Sequence, residues 1–461
     1  MLDAHSSSNR TIKNIVVVGG GLAGWMSAAA LARSIEPSVI GVTLVESDDI
    51  GAVGGSVATL PAIRTFNALL GLTEDEFIRH SQSTCKLGTE FVGWRAPGSR
   101  YVHHFGGNGL YGFHVDAGLY AAYLRIYCEA RGVRRLEGRI AHVRRRREDG
   151  FISRLVLRDG RTVEGDLFLD CSGLRSLLIA RSLEVGFEDW SQWLPCDRLV
   201  AAACEALSPL PSYTRSTADV AGWRWRMPLQ NRTGNGYVYC SRFSSDVAAQ
   251  ARLLAQLDAT CLGDVSLLRF TTGHRQRFWE KNCVAIGSAG GFIEPLEPTA
   301  VYLIQEGIGR LLVSVRDRHF TRGAVEAYNR YMMDQYRRIR DFVILHYHAR
   351  ARGDTPFWRH CRGLGIPESL QERIERFRRD GVMLQEPEDP FGAQSWIAVM
   401  LGQGITPAPR DRAVSEGIPS AGDRAVSEGI PSAGDRAVSE GIPSEGDRAP
   451  SAAAVQGLEC S

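Results

Sequence analysis

Four groups of residues in this chain have types and spacings suited to chemistry. The first is Gly19-Gly20-Gly21-Leu22-Ala23-Gly24, which follows the apolar run Asn14-Ile-Val-Val-Val and leads into Trp25-Met-Ser-Ala-Ala-Ala-Leu-Ala. A Gly-x-Gly-x-x-Gly is common by chance, but between a strand and a helix it marks a dinucleotide site: Gly21 lets the backbone approach a pyrophosphate whose charge the helix N-terminus stabilises. A second apolar run, Val42-Thr-Leu-Val45, ends on Glu46, at the spacing of an acid that accepts ribose hydroxyl hydrogens. The second group is Lys86. Only three of the 54 basic residues are lysines, Lys13, Lys86 and Lys281, so a lysine here is a choice, although taken alone Lys86 also reads as a snorkelling helix-surface residue. The third is Glu294 with Glu297, the latter reading equally as an ordinary acid before a helix starting at Thr299. The fourth is Trp223 with Trp225, which share one face of a strand and could simply be core.

The elements needed to position these groups are legible in outline. Strand, glycine turn, helix and second strand make a βαβ unit. Helical patterns follow at 62–70, 74–83 and 117–131, the last with Asp116 as N-cap. Alternating strands at 139–145, 152–157 and 162–169, separated by Asp149-Gly150 and Asp159-Gly160, predict a hairpin-type insertion. A β-rich stretch spans 222–243, a short buried strand ends at Gly287, and a long helical region runs from 299 to about 351. Beginning at Asp411, a twelve-residue unit, Asp-Arg-Ala-Val-Ser-Glu-Gly-Ile-Pro-Ser-Ala-Gly, occurs three times, with Glu445 in the last copy. Its few apolar groups cannot offset the entropy of ordering, so 406–461 is expected to be a disordered tail behind a folded domain at 1–405.

With 461 residues, 44% hydrophobic and 23% charged, the chain can bury a large core, and its net charge of +2 argues against nucleic acid or a membrane surface as partner. Arg144 to Arg147 read as a solvated strand end. Ten cysteines, none two apart, suggest neither a zinc site nor a redox pair. No secretory leader or membrane-spanning run is visible, so a cytoplasmic protein acting on small molecules is expected.

Two further segments favour FAD over NAD. Asp166-Leu-Phe-Leu-Asp170-Cys-Ser-Gly173 resembles the returning turn of flavin monooxygenase folds, and Val284-Ala-Ile runs into Gly287-Ser288-Ala-Gly-Gly291, with Ser288 where many flavoproteins place Asp. The fold class expected is α/β, a Rossmann-like FAD-binding domain of the flavin monooxygenase type, with a β-rich substrate-side insertion at about 175–280 and a helical region beyond it. Several motifs in order then resemble one family, the flavin-dependent tryptophan halogenases: Gly19 to Gly24, Thr84-Cys-Lys86-Leu-Gly, Phe187-Glu-Asp-Trp190, Trp223-Arg-Trp225-Arg-Met227-Pro228, Glu294-Pro-Leu-Glu297-Pro-Thr299, and Ser395-Trp396 through Gly404. The likeness covers roughly residues 14–407.

The resemblance implies that reduced FAD, delivered by a separate flavin reductase, reacts with oxygen to a hydroperoxide that chloride or bromide attacks. Hypohalous acid then crosses a tunnel to an electron-rich, indole-type aromatic. It assigns the tunnel lysine to Lys86, the substrate-side carboxylate to Glu297 and halide contacts to Thr299 and Ala300, and it makes Trp223 and Trp225 markers of the barrier between flavin and substrate. FAD contacts fall to Gly19, Gly21, Leu22, Ala23, Gly24, Glu46, Ala58, Gly287 and Leu296. A lysine suits its role because its compact nitrogen can donate to hypohalous acid or be halogenated, whereas a guanidinium is a delocalised, poorly nucleophilic fork. His103, His104, Phe105 and Tyr111 are candidate pocket walls, and equally candidates for plain packing. The sequence leaves a homodimer open.

The chain also departs from the family. Ser56-Val57 stand where relatives carry Gly-Glu near the flavin, Pro298 replaces a Ser and removes a hydroxyl and an N–H, Met227 replaces Ile, and the repeat occupies a region where relatives continue in helices. Rival readings are a flavin monooxygenase that hydroxylates or epoxidises, which needs no Lys86, and a degenerate non-catalytic relative.

Overall fold

The two apolar runs at the start of the chain, Asn14–Val18 and Gly41–Glu46, lie side by side in parallel, with Val16 opposite Thr43 and Val18 opposite Val45. The Leu22–Ser34 helix connects them and buries residues 24–31, where Ala28, Ala29 and Ala30 allow a close approach to the sheet. The structure, a computed structural model, describes residues 11–48, 55–106, 109–348, 352–383, 385 and 387–409. The repeats at 411–446 lie outside the described residues.

The central sheet has six strands in the order Trp279–Glu280, Cys283–Ala285, Leu167–Asp170, Asn14–Val18, Gly41–Glu46 and Arg134–Glu137. Every neighbouring pair is parallel except the edge pair Trp279–Glu280 with Cys283–Ala285. The middle strands are buried almost throughout, as expected of a parallel sheet covered on both faces. Asp116 caps the Ala117–Glu129 helix as its sequence predicts, its carboxylate accepting from the N–H groups of Gly118 and Leu119 at 3.1 Å each. The 74–83 pattern forms a helix over Glu74–Ser81, closed by a Thr73/Glu76 capping box and ended by Gln82 in the left-handed region.

The expected strand at 162–169 is two strands in two sheets. Thr162–Glu164 joins Ile152–Leu157 and Ile140–Arg145 in a three-stranded antiparallel sheet, while Leu167–Asp170 enters the parallel sheet. Asp166 causes the break by turning its carboxylate back onto the N–H groups of Lys13 and Asn14, each at 2.9 Å. The helical region from 299 is likewise two helices, Thr299–Ser314 and Arg322–Tyr347, separated by a turn containing Arg318 at φ 60°.

A second sheet has seven strands in the order Cys261–Arg269, Arg198–Cys204, Thr233–Tyr239, Gly222–Pro228, Tyr213–Asp219, Gly88–Val92 and Arg100–His104. Its last two strands come from well before residue 175 and join through a parallel pairing of Tyr213–Asp219 with Gly88–Val92. Gly88 makes that edge feasible, because a Cβ there would lie 2.2 Å from the carbonyl oxygen of His103 on the paired strand. The short sheet Ser56–Ala58, Gly112–Asp116 and Thr84–Lys86 carries Lys86.

Candidate active site

The glycine turn has the geometry of a phosphate cradle. Gly19 adopts φ +117° and a Cβ on it would sit 2.3 Å from the Cys171 carbonyl oxygen, while a Cβ on Gly24 would sit 1.8 Å from the Gly19 oxygen. Both positions are closed to any other residue. Gly21, the N-cap of the Leu22–Ser34 helix, offers no side-chain cap, and nothing lies within 4 Å of where its Cβ would be. The helix therefore starts without a side-chain cap, and among the described residues nothing fills the space at Gly21, which suits an anion at this helix start.

The Glu46 carboxylate leans over Gly20, where a Cβ would collide with Oε2, and its Oε1 accepts from Arg135 Nε. Arg135, which also binds Asp48 at 2.6 Å, is a partner that the βαβ pattern did not reveal. The Ser47 hydroxyl next to Glu46 is buried without a partner. Gly287, at φ +70°, packs so closely that a Cβ would lie 2.9 Å from that of Ala23 and 3.4 Å from Ile304 Cγ1, so the third turn abuts the first. Ala58, at the end of Ser56–Ala58, and Leu296, just before the Thr299–Ser314 helix, are both buried. An open anion cradle, an acid at the ribose position and an orphaned hydroxyl fit the dinucleotide half of FAD.

Lys86 ends a strand rather than standing on a helix surface, and it is fully buried. Its Nζ donates to the Gly88 carbonyl at 2.6 Å and to Thr89 Oγ1 at 2.9 Å, and lies 4.9 Å from the centre of the Phe105 ring. Burial pushes its ammonium down to about 7, an effect the negative charge of Glu297 partly offsets.

Glu297 is also buried. His103 Nδ1 lies 2.9 Å from its Oε1 and His346 Nε2 3.3 Å from the same oxygen, whereas Oε2 has no partner. Burial alone would raise the carboxyl, but His103 and His346 outweigh it and hold Glu297 below the usual carboxylate range. Burial in turn lowers His346, against the pull of Glu297. The sequence-selected pair Lys86 and Glu297 is thus brought into one buried cluster with His103 and Phe105. His346, at the end of the Arg322–Tyr347 helix, is a member that no motif announced.

Trp223 and Trp225 do share a buried face of the Gly222–Pro228 strand. Trp223 Nε1 donates to Glu294 Oε2 at 3.3 Å, and Tyr347 Oη donates to the same oxygen at 2.9 Å. Burial pushes Glu294 up to about 7 despite those bonds. The Trp225 indole lies over Gly236, where a Cβ would be 2.2 Å from Cε2, and its Nε1 is buried without a partner. Neighbouring Gly234 faces Ser56, whose hydroxyl is likewise buried and unpartnered. Pro298 occupies the N-cap of the Thr299–Ser314 helix and supplies no side-chain cap; Thr299 is buried and Ala300 exposed at that start. Of the remaining candidate walls, Tyr111 binds Glu74 at 2.8 Å and His104 packs on Tyr213, so both serve the scaffold.

Comparison with known proteins agrees with this geometry. The sequence model of the tryptophan halogenase family matches residues 14–110 and 108–417. A tryptophan 6-halogenase from Streptomyces toxytricini is 31% identical over 492 residues, covering 87% of this chain and 92% of the relative. Among solved structures, a flavin-dependent halogenase from Xanthomonas campestris superposes with a TM-score of 0.84 at 43% identity, over 86% of this chain and 90% of the other. One from Brevundimonas sp. BAL3 gives 0.81 at 39% identity over the same shares. With a buried lysine and glutamate in one cluster, a βαβ unit whose glycine turn suits a dinucleotide, and these likenesses over nearly its whole folded length, the chain belongs to the tryptophan halogenase family and is a flavin-dependent halogenase.

Proposed function

We propose that the protein halogenates an electron-rich, indole-type aromatic at the Lys86–Glu297 cluster. Bound reduced FAD, regenerated by a separate flavin reductase, would supply with O₂ and chloride or bromide the electrophilic halogen as hypohalous acid. The tryptophan named for several relatives is one member of this substrate class.

The observation that carries the reading is a fully buried lysine, Lys86, held on Gly88 and Thr89, within electrostatic reach of a buried carboxylate, Glu297, whose Oε2 no described residue engages. In its neutral form Lys86 has two N–H groups, both directed at Gly88 and Thr89, so its lone pair points away from them. There it can take the halogen from hypohalous acid, an N–halogen bond forming as the O–halogen bond breaks and one N–H proton leaving with the hydroxide as water; as an ammonium it instead donates its third hydrogen to the acid. In either route the aromatic carbon gains the halogen and loses its proton to a base. Glu297 Oε2 is buried, charged and unoccupied, which suits it to stabilise the cationic ring and accept that proton. Thr299 and Ala300, at an uncapped helix start, are the groups we assign to halide. Trp223 and Trp225 would keep the aromatic apart from the flavin.

The test supplies the protein with FAD, a generic flavin reductase, NADH and bromide, and follows indole and a panel of phenols by mass spectrometry. The expected result is a product with the bromine isotope doublet, abolished in Lys86→Ala while FAD binding persists. An oxygenated product without bromine, or bromination that survives Lys86→Ala, would overturn the reading.

A further inference from the structure

Behind Glu297 a chain of side chains from three distant segments leads away from the proposed reaction centre. Gln403, just past the Ala393–Gly402 helix, has its Nε2 3.0 Å from the His346 carbonyl and 2.8 Å from Tyr101 Oη. A carbonyl only accepts, so the atom facing both groups is the amide nitrogen, and Tyr101 Oη receives a hydrogen from it. The single hydroxyl hydrogen of Tyr101 is then free for His346 Nδ1, 3.1 Å away. Used there, that hydrogen makes Nδ1 the acceptor and leaves the hydrogen of neutral His346 on Nε2, the nitrogen 3.3 Å from Glu297 Oε1.

The packing holds this arrangement. Phe91 stacks on Tyr101 at 4.8 Å and on His346 at 4.5 Å, so neither ring can turn freely. Tyr101 in turn lies against Gly402, where a Cβ would come within 2.4 Å of its ring. Tyr101 and Gln403 are buried or nearly so and have no other evident task.

We propose that Gln403 and Tyr101 are positioning residues for halogenation: they fix His346 as the tautomer whose Nε2–H faces Glu297 Oε1 beside His103, which keeps both imidazoles on Oε1 and leaves Oε2 to take the substrate's proton. The inference rests on the reading of Glu297 as the proton acceptor. His346 Nε2 lies 3.3 Å from Glu297 Oε1 without completing a hydrogen bond to it among the described residues, a gap that substrate binding must close. The other titratable groups facing Glu297 and His346 are His103, on the strand that also carries Tyr101, and Lys86.

The test uses the full chain labelled with ¹⁵N-histidine, with His346 identified by the signal lost in His346→Gln. Long-range proton–nitrogen correlation above neutral pH is expected to find Nε2 protonated and Nδ1 bare, and Tyr101→Phe to mix the two tautomers. In bromination of indole, Tyr101→Phe and Gln403→Met should lower kcat several-fold and move the acid limb of its pH profile upward, with KM nearly unchanged, because Glu297 then loses a donor to its charged form. Gln403→Met carries the test should Tyr101→Phe fail to fold. A wild-type His346 protonated on Nδ1, or an acid limb that stays in place in the folded variants, overturns the proposal. The tautomer measurement needs no turnover, and Glu297→Gln separates the two readings: full activity in that variant removes the proton-acceptor role without touching the tautomer result.

Discussion

Lys86 sits where a charged group is costly, and the cost has a sign that can be measured. Its value of about 7 lies well below the ordinary 10.5. At about 1.4 kcal/mol per pH unit this is roughly 5 kcal/mol at most, present in full below pH 7. Because the folded value is the lower one, the unfolded chain binds the extra proton between about pH 7 and 10.5, so stability from this group rises with pH across that window. Lys86→Met is therefore expected to abolish halogenation while stabilising the fold near pH 6, partly offset by the lost attraction for Glu297, with the gain shrinking toward pH 10. Urea denaturation at both ends of the window checks this; an equal gain at both would mean that the buried charge carries no penalty. Lys86 and Glu297 were legible because each lies in a short motif. His346 and Tyr101 were not, since 245 residues separate them and neither belongs to a local pattern.

At the scale of elements, the parts made by neighbours in sequence were the most readable. Strand, glycine turn and helix of the first βαβ unit depend on contacts within about twenty residues, and their boundaries follow from glycine and apolar spacing. The seven-stranded sheet was only half visible: 222–243 reads as β, but Gly88–Val92 is held by Tyr213–Asp219, far away in sequence, and Arg100–His104 is an edge strand that hangs on Gly88–Val92 alone, so neither gave a strand signal. The 162–169 run misled because its apolar alternation continues through Gly165-Asp166, and only the tertiary bond from Asp166 to Lys13 and Asn14 breaks it. The glycine turn itself supports a sharp prediction. In Gly24→Ala the added methyl meets the Gly19 oxygen at 1.8 Å within one tight turn, so the backbone must open where the pyrophosphate would rest. FAD affinity, followed by quenching of flavin fluorescence, should fall by about tenfold or more, about 1.4 kcal/mol. Unchanged affinity would mean that the cofactor does not use this turn.

At the scale of the whole molecule, the site draws on widely separated stretches of chain, and this decides where the chain can be cut. Lys86 comes from an early short strand, Glu297 from the loop before Thr299–Ser314, His346 from the end of a 26-residue helix, and Gln403 from the end of Ala393–Gly402. The last described helix therefore belongs with the site: Trp396, Val399 and Met400 are buried in the main core, with Gln403 and Ile405 behind them. After Ile405 none of residues 406–409 is buried, and the compact unit ends at Pro407. The repeats beyond it, poor in apolar groups and broken by Gly and Pro, have little to bury. Truncation after Pro407 is thus expected to leave the thermal midpoint and brominated-product yield unchanged, and limited proteolysis to stop near the same place. Truncation before Ala393 should unfold the protein, because it uncovers the faces on which Trp396, Val399 and Met400 pack. A loss of activity on removing 408–461 alone would assign the repeats a part in the reaction that their composition does not supply.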